Sequence, residues 1–109
     1  MAARHYALTL NGSAQQLSTL LSNTERGGAE DVACVQIILA ADPANSNVIY
    51  VGANNTVAAT THGFALDPTQ ATAKDRESIG PFSSGKVKPS DIWVKGTNAE
   101  RLMVFLVPM

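Results

Sequence analysis

Residues 45–68, NSNVIYVGANNTVAATTHGFALDP, constrain the fold more than any other stretch of the chain. The apolar run through Ile49, Tyr50 and Val51 reads as a strand, and Ala53-Asn54-Asn55 tolerates the left-handed backbone of a tight turn. The Thr- and Val-rich residues 56–61 read as the returning strand. A His62-Gly63 corner, a short extended step to Leu66 and the stop Asp67-Pro68 follow. Strand, polar turn and strand again is how a small all-β domain is written.

The remaining segments extend that pattern. Tyr6, Leu8 and Leu10 alternate with His5, Ala7 and Thr9, so residues 4–10 are expected to form a half-buried strand. After the Asn11-Gly12 turn the period changes. Ala14, Leu17, Leu20 and Leu21 fall at helical spacing, and Ser13 with Gln16 three residues on fits a capping box, which predicts one short N-terminal helix over 13–21. Residues 23–31, with Gly27-Gly28, read as a mobile loop. Residues 32–40 are apolar on both faces apart from Gln36, and their Val and Ile content favours a strand. Residues 69–78 carry Lys74-Asp75-Arg76-Glu77 and read as a solvated loop, Ile79 to Phe82 as a further turn, and Lys86-Val87-Lys88 as a brief strand.

Two strands close the chain. In 90–96, Ile92 and Val94 face one way, Trp93 and Lys95 the other; in 101–107, Leu102, Val104 and Leu106 oppose Met103, Phe105 and Val107. Turn signals recur roughly every ten residues, which indicates an antiparallel sandwich or barrel rather than alternating βα units.

Composition narrows the function. A chain of 109 residues makes one domain, with 1–31 supplying an N-terminal strand, helix and loop and 32–109 the main sandwich. Charged residues are 16%, well below the usual quarter or so, and a sparsely charged surface tilts the expectation toward a subunit of an assembly. A net charge of −1 with scattered Lys and Arg argues against nucleic-acid binding. Cys34, the single cysteine, lies in an apolar run and reads as a buried, inert thiol without a disulfide partner. The N-terminal MAARHYALTL lacks the core of a signal peptide, and no apolar run approaches the ~20 residues of a membrane span. A soluble product of a reducing compartment is expected.

No chemistry emerges from the residues. His5 and His62 are far apart with no HxH, HExxH or Cys/His spacing, so no metal or cofactor is expected. No GxSxG, supported Cys–His pair or phosphate loop is present, so neither an enzyme nor a small-molecule substrate is expected. Asp42, Asp67 and Asp91 stand at strand boundaries and are expected to bond local backbone.

A two-layer sandwich needs only one apolar face per strand, yet residues 32–40 and 101–107 have two. The 13–21 helix can cover one outer face. The other is left to residues 69–88 or to a neighbouring subunit. In the second case Trp93, Met103, Phe105 and Val107, with Phe82, form the candidate subunit interface.

The order IILAADPANSNVIYVG, TTHGFALDPTQ, IGPF and SDIWVKGTNAERLMVFLV resembles a family of small tailed-phage virion proteins of the capsid decoration, or cement, type. The matching positions are Gln36 to Leu39, Asp42-Pro43, Asn45, Asn47 to Gly52, Gly63, Leu66, Pro68 and Ser90 to Gly96; Trp93 stands where the pattern has Tyr or Phe. The resemblance covers about residues 32–107. It implies a jelly-roll β-sandwich on the outside of a phage head, made in the bacterial cytoplasm. It also implies assembly as a homo-trimer or homo-dimer, with the major capsid protein as partner and the work of bridging neighbouring shell subunits. A neck, head-fibre or tail-associated protein of the same fold is the nearest alternative. A glycan- or receptor-binding sandwich, using Tyr50, Trp93 and Phe82 as an aromatic platform, belongs to a different class.

Overall fold

The computed structural model describes residues 3–22, 32–71, 73–83 and 87–109. The expected loop at 23–31 and Lys86 of the expected brief strand lie outside them. The period-two segments form strands β1 (Arg4–Thr9), β2 (Gln15–Gln16), β3 (Cys34–Ala41), β4 (Ile49–Gly52), β5 (Phe64–Leu66), β6 (Arg76–Ile79), β7 (Trp93–Lys95) and β8 (Arg101–Pro108). A helix, α1 (Leu17–Ser22), follows β2 directly. Among the described residues the strands make two antiparallel four-stranded sheets, β1-β8-β3-β6 and β2-β7-β4-β5. The protein is an all-β sandwich with one short helix.

Alternation within each strand sends one set of side chains into the single core between the sheets. Leu8, Ile37, Leu39, Leu102, Val104 and Leu106 come from the first sheet and Ile49, Val51, Leu66 and Val94 from the second. Leu102, Leu106, Ile37 and Val94 are fully enclosed, so the inward phase read for the closing strands is the observed one.

Six local expectations are corrected. Residues 56–61 are not a strand. The Asn54 carboxamide accepts bonds from the Thr56 N–H, at 3.0 Å, and from the Thr56 hydroxyl, and Ala58 and Thr61 exchange backbone bonds of 2.7 and 3.1 Å. Their hydrogen-bonding capacity is used within the loop, and β5 pairs with β4 instead. The helix is shorter than read, because the Gln15 side chain accepts from the Asn11 N–H and the Gln15–Gln16 backbone pairs with β7. Ser13 donates its own N–H to Asn11 rather than capping. The helix also does not sit on an outer face: Leu17, Leu20 and Leu21 belong to the core.

The charged run at 74–77 is part solvated loop and part edge strand, since Arg76 and Glu77 pair with Ala40 and Leu39. An edge strand tolerates charge because one of its flanks faces water. Finally, the strand expected over 90–96 is reduced to Trp93–Lys95 by a 3-10 turn at Pro89–Asp91. Asp91 accepts the Lys88 N–H there at 2.9 Å.

Gly96 shows how closely the layers approach. A Cβ at this position would overlap Leu10 Cδ1 and stand 3.3 Å from Ile49 Cγ1. Gly96→Ala is expected to cost about 1–3 kcal/mol through forced displacement of Leu10, read as a lowered midpoint of thermal unfolding.

Candidate interaction surface

The interstrand register assembles the outer face of the first sheet row by row. His5 lies opposite Phe105, Phe105 opposite Ile38, and Ile38 opposite Ser78. In the next row Ala7 opposes Met103, Met103 opposes Ala40, and Ala40 opposes Arg76. Val107 and Gln36 start a third row, where Gln36 Nε2 donates to Ser78 Oγ at 2.8 Å. Partners in register share a face, and directly opposed side chains are about 5 Å apart. The first two rows therefore form neighbouring strips of different height: a ridge of His5, Phe105 and Ile38 beside a furrow in which two alanines flank Met103.

The furrow opens as a cavity of about 190 Å³ whose lining includes His5, Ala7, Ile38, Ala40, Met103 and Phe105. Phe105 is 40% exposed in the centre of the sheet, an unusual position for an aromatic ring in a chain this size. In these two rows the only permanently charged side chain is Arg76, on the edge strand.

The other outer face is treated differently. Tyr50, Gly52, Trp93 and Lys95 share it by register. Residues 53–63 fold back over it: Val57 is buried, stands apart from the inter-sheet core, and would lie 3.1 Å from a Cβ on Gly52. The His62 ring rests 5.0 Å from that of Tyr50, and His62 Nδ1 lies 3.0 Å from the Ala58 carbonyl oxygen. The chain thus covers part of this face itself, with a segment other than the helix or 69–88. The missed signal was Gly52, since a glycine inside a strand marks close approach by another part of the chain.

The candidate interface residues separate accordingly. Met103, Phe105 and Val107 lie on the exposed face of the first sheet, and half-buried Trp93 lies on the second. Phe82, 41% exposed, sits beside β3 just after β6, its N–H donating to the Val35 carbonyl at 2.9 Å. A common surface containing Trp93 and Phe105 is corrected: the two belong to opposite sides of the sandwich. The Tyr50, Trp93 and Phe82 platform divides in the same way. Sequence reading also missed His5, Ala7, Ile38 and Ala40, which reach the face only through pairing across strands.

The aspartates bond nearby backbone as expected, and Asp42 also pairs with the side chain of Arg101, far along the chain. Asp42 Oδ1 accepts the Ala44 N–H at 3.0 Å and its Oδ2 the Arg101 Nε at 3.0 Å, while Asp67 accepts Thr69 N–H, Thr69 hydroxyl and Ala71 N–H. No group of three or more His, Cys, Asp or Glu suited to holding a metal occurs among the described residues. Nor is any helix among them long and apolar enough to cross a membrane.

Fold and surface define a class: an antiparallel β-sandwich with one outer face partly covered by its own chain and one apolar outer face left open. No protein-family model, curated protein or solved structure matches the chain.

Proposed function

We propose that the protein is a structural component of a phage virion, a capsid decoration protein that binds the outside of the head and bridges major capsid subunits. The observation that carries this reading is the open, nearly uncharged face around Phe105, which suits an assembly surface better than a substrate site. The strand order also supports it. Two four-stranded sheets ordered β1-β8-β3-β6 and β2-β7-β4-β5 fit a jelly roll, an architecture used by viral capsid domains. The protein acts by adhesion rather than catalysis, without cofactor, nucleic acid or membrane, in contact with the capsid protein and with copies of itself.

Imaging particles with and without the protein is the test. Many copies on the shell, and heads that break more readily without them, are expected. A small number of copies at one vertex would assign it to the neck, head fibre or tail instead. Phe105→Ala should reduce capsid occupancy while the isolated chain keeps its fold, read from particle composition and circular dichroism together.

A further inference from the structure

The turn that follows β1 is built for a reaction that needs only water. We propose that Asn11 is a self-modification site: the Gly12 nitrogen closes on the Asn11 side chain, and the carboxamide is converted to aspartate and isoaspartate. This does not depend on what the open face binds.

Three observations place the reaction at Asn11. It is the sole asparagine of the sequence that precedes a glycine, so no Cβ crowds the ring that must form. Gly12 has a φ of +88°, a backbone state that residues bearing a side chain rarely adopt. Asn11 is also exposed, so water reaches its carboxamide. The third observation is a hydrogen bond: the Ser13 N–H donates to Asn11 Oδ1 at 2.9 Å. The loop this bond closes contains both Asn11 Cγ and the Gly12 nitrogen, which holds electrophile and nucleophile on one short turn. The donor is aimed at the oxygen that takes up negative charge when Cγ is attacked, as oxyanion-stabilising donors are.

In the first step the Gly12 nitrogen loses its proton and bonds to Asn11 Cγ. The Cγ–Nδ2 bond breaks, and Nδ2 takes up a proton and leaves as ammonia. The product is a cyclic imide made of Asn11 C, Cα, Cβ and Cγ with the Gly12 nitrogen. Water then opens it. Breaking the Cγ–N bond gives aspartate on the original backbone, whereas breaking the C–N bond gives isoaspartate, with the chain rerouted through Cβ and Cγ. In sum, carboxamide and water become carboxylate and ammonium.

The two products differ in effect because the turn is held on both sides. Before it, Leu10 is buried, its N–H donating to the Glu100 carbonyl and its own carbonyl accepting the Ala99 N–H, both at 2.9 Å. After it, the Gln15 side chain accepts the Asn11 N–H at 3.0 Å and the Gln15 backbone pairs with β7. The turn therefore carries the chain from one sheet to the other between fixed points. Isoaspartate inserts an extra backbone carbon there; aspartate does not.

The experiment incubates the full chain at mildly alkaline pH, native and unfolded in guanidinium chloride. Isoelectric focusing, peptide mass mapping and enzymatic methylation of isoaspartate follow the products. Asn11 should convert at least about tenfold faster than Asn54 or Asn98, a barrier lower by about 1.4 kcal/mol. Asn54 is the close control: it accepts the Thr56 N–H at 3.0 Å in the same manner, but Asn55 follows it. The native chain should react at Asn11 no more slowly than the unfolded one. Aged native protein should melt at a lower temperature, whereas Asn11→Asp, with the same added charge and no extra carbon, should melt as the fresh chain does. Asn11→Gln should stay free of the acidic product, since its longer side chain closes a larger and less readily formed ring.

Protection of Asn11 by folding, faster conversion at another asparagine, or an Asn11→Gln chain that acidifies at the original rate would overturn the proposal. So would aged protein that melts unchanged, or that loses no more than Asn11→Asp.

Discussion

Leu102→Ala is expected to lower the free energy of unfolding by about 2–5 kcal/mol, a large share of the 5–15 kcal/mol or so typical of a domain. Leu102 is fully enclosed, paired with Leu8 on one side and Ala41 on the other. Truncation removes its burial and leaves a cavity that two flanking hydrogen-bonded strands cannot close. Three residues further along the same strand, Phe105→Ala should cost only about 1 kcal/mol, since that ring lies on the outer face and is 40% exposed. Denaturant unfolding of the two variants provides the comparison. Equal losses would mean that the inner and outer faces of β8 had been exchanged.

Asn45→Ala is expected to cost about 2–4 kcal/mol, although the side chain is small and lies in a loop. Asn45 is buried, its Nδ2 donating to the Arg101 carbonyl at 2.8 Å and its Oδ1 accepting the Arg101 N–H at 3.0 Å. Both bonds go to one residue at the entrance of β8, so the amide fixes the height at which that strand enters the sheet. Neighbouring contacts reinforce it. Glu100 accepts the Ser46 and Asn47 N–H groups at 2.8 and 3.2 Å, and Asp42 pairs with the Arg101 guanidinium. Alanine would leave the Arg101 N–H without its partner and the Arg101 carbonyl with only the longer bond from the Asp42 N–H, at 3.3 Å, and an unmade bond of this kind costs about 1–3 kcal/mol. The loss should appear in chemical denaturation and as faster amide exchange at Arg101. Asn45→Asp retains the acceptor but loses the donor, so a smaller loss than alanine is the expected ordering.

The parts of the fold that were legible are those where one face of a strand meets the core. Period two in β8, and in Ile37 and Leu39 of β3, follows from burial alone, and burial is visible in side-chain type. The edge was not legible. Arg76 and Glu77 belong to a strand because β3 offers a flank, and no property of Lys74-Asp75-Arg76-Glu77 announces that. Residues 56–61 failed for the opposite reason: Thr and Val suit a strand, but local bonds from Asn54 and between Ala58 and Thr61 bent the chain over Gly52. The candidate surface was half legible. Phase within β8 correctly grouped Met103, Phe105 and Val107, whereas Trp93 was added on chemical type, and nothing within a strand reveals which sheet it joins. The furrow depends on the small side chains of Ala7 and Ala40 on the strands either side of Met103, which only register discloses.

The position of β8 also dictates when the molecule can form. The strand that comes last lies between β1, the first, and β3. Until residues 101–108 are present, β1 has no neighbour in its sheet, and the inner face of β3 lacks Leu102, Val104 and Leu106 opposite the second sheet. Such non-local pairing makes folding slow, in the millisecond-to-second range typical of β-sandwiches. It also makes folding conditional on synthesis, because without β8 the first sheet is split into an isolated β1 and the β3-β6 pair, leaving the second sheet without its full facing layer. A chain ended at Glu100 should be unfolded and protease-sensitive, even though it retains seven of the eight described strands. The ridge residue Phe105 arrives on that same final strand, so the chain cannot present its open apolar face before it has a fold to present it on.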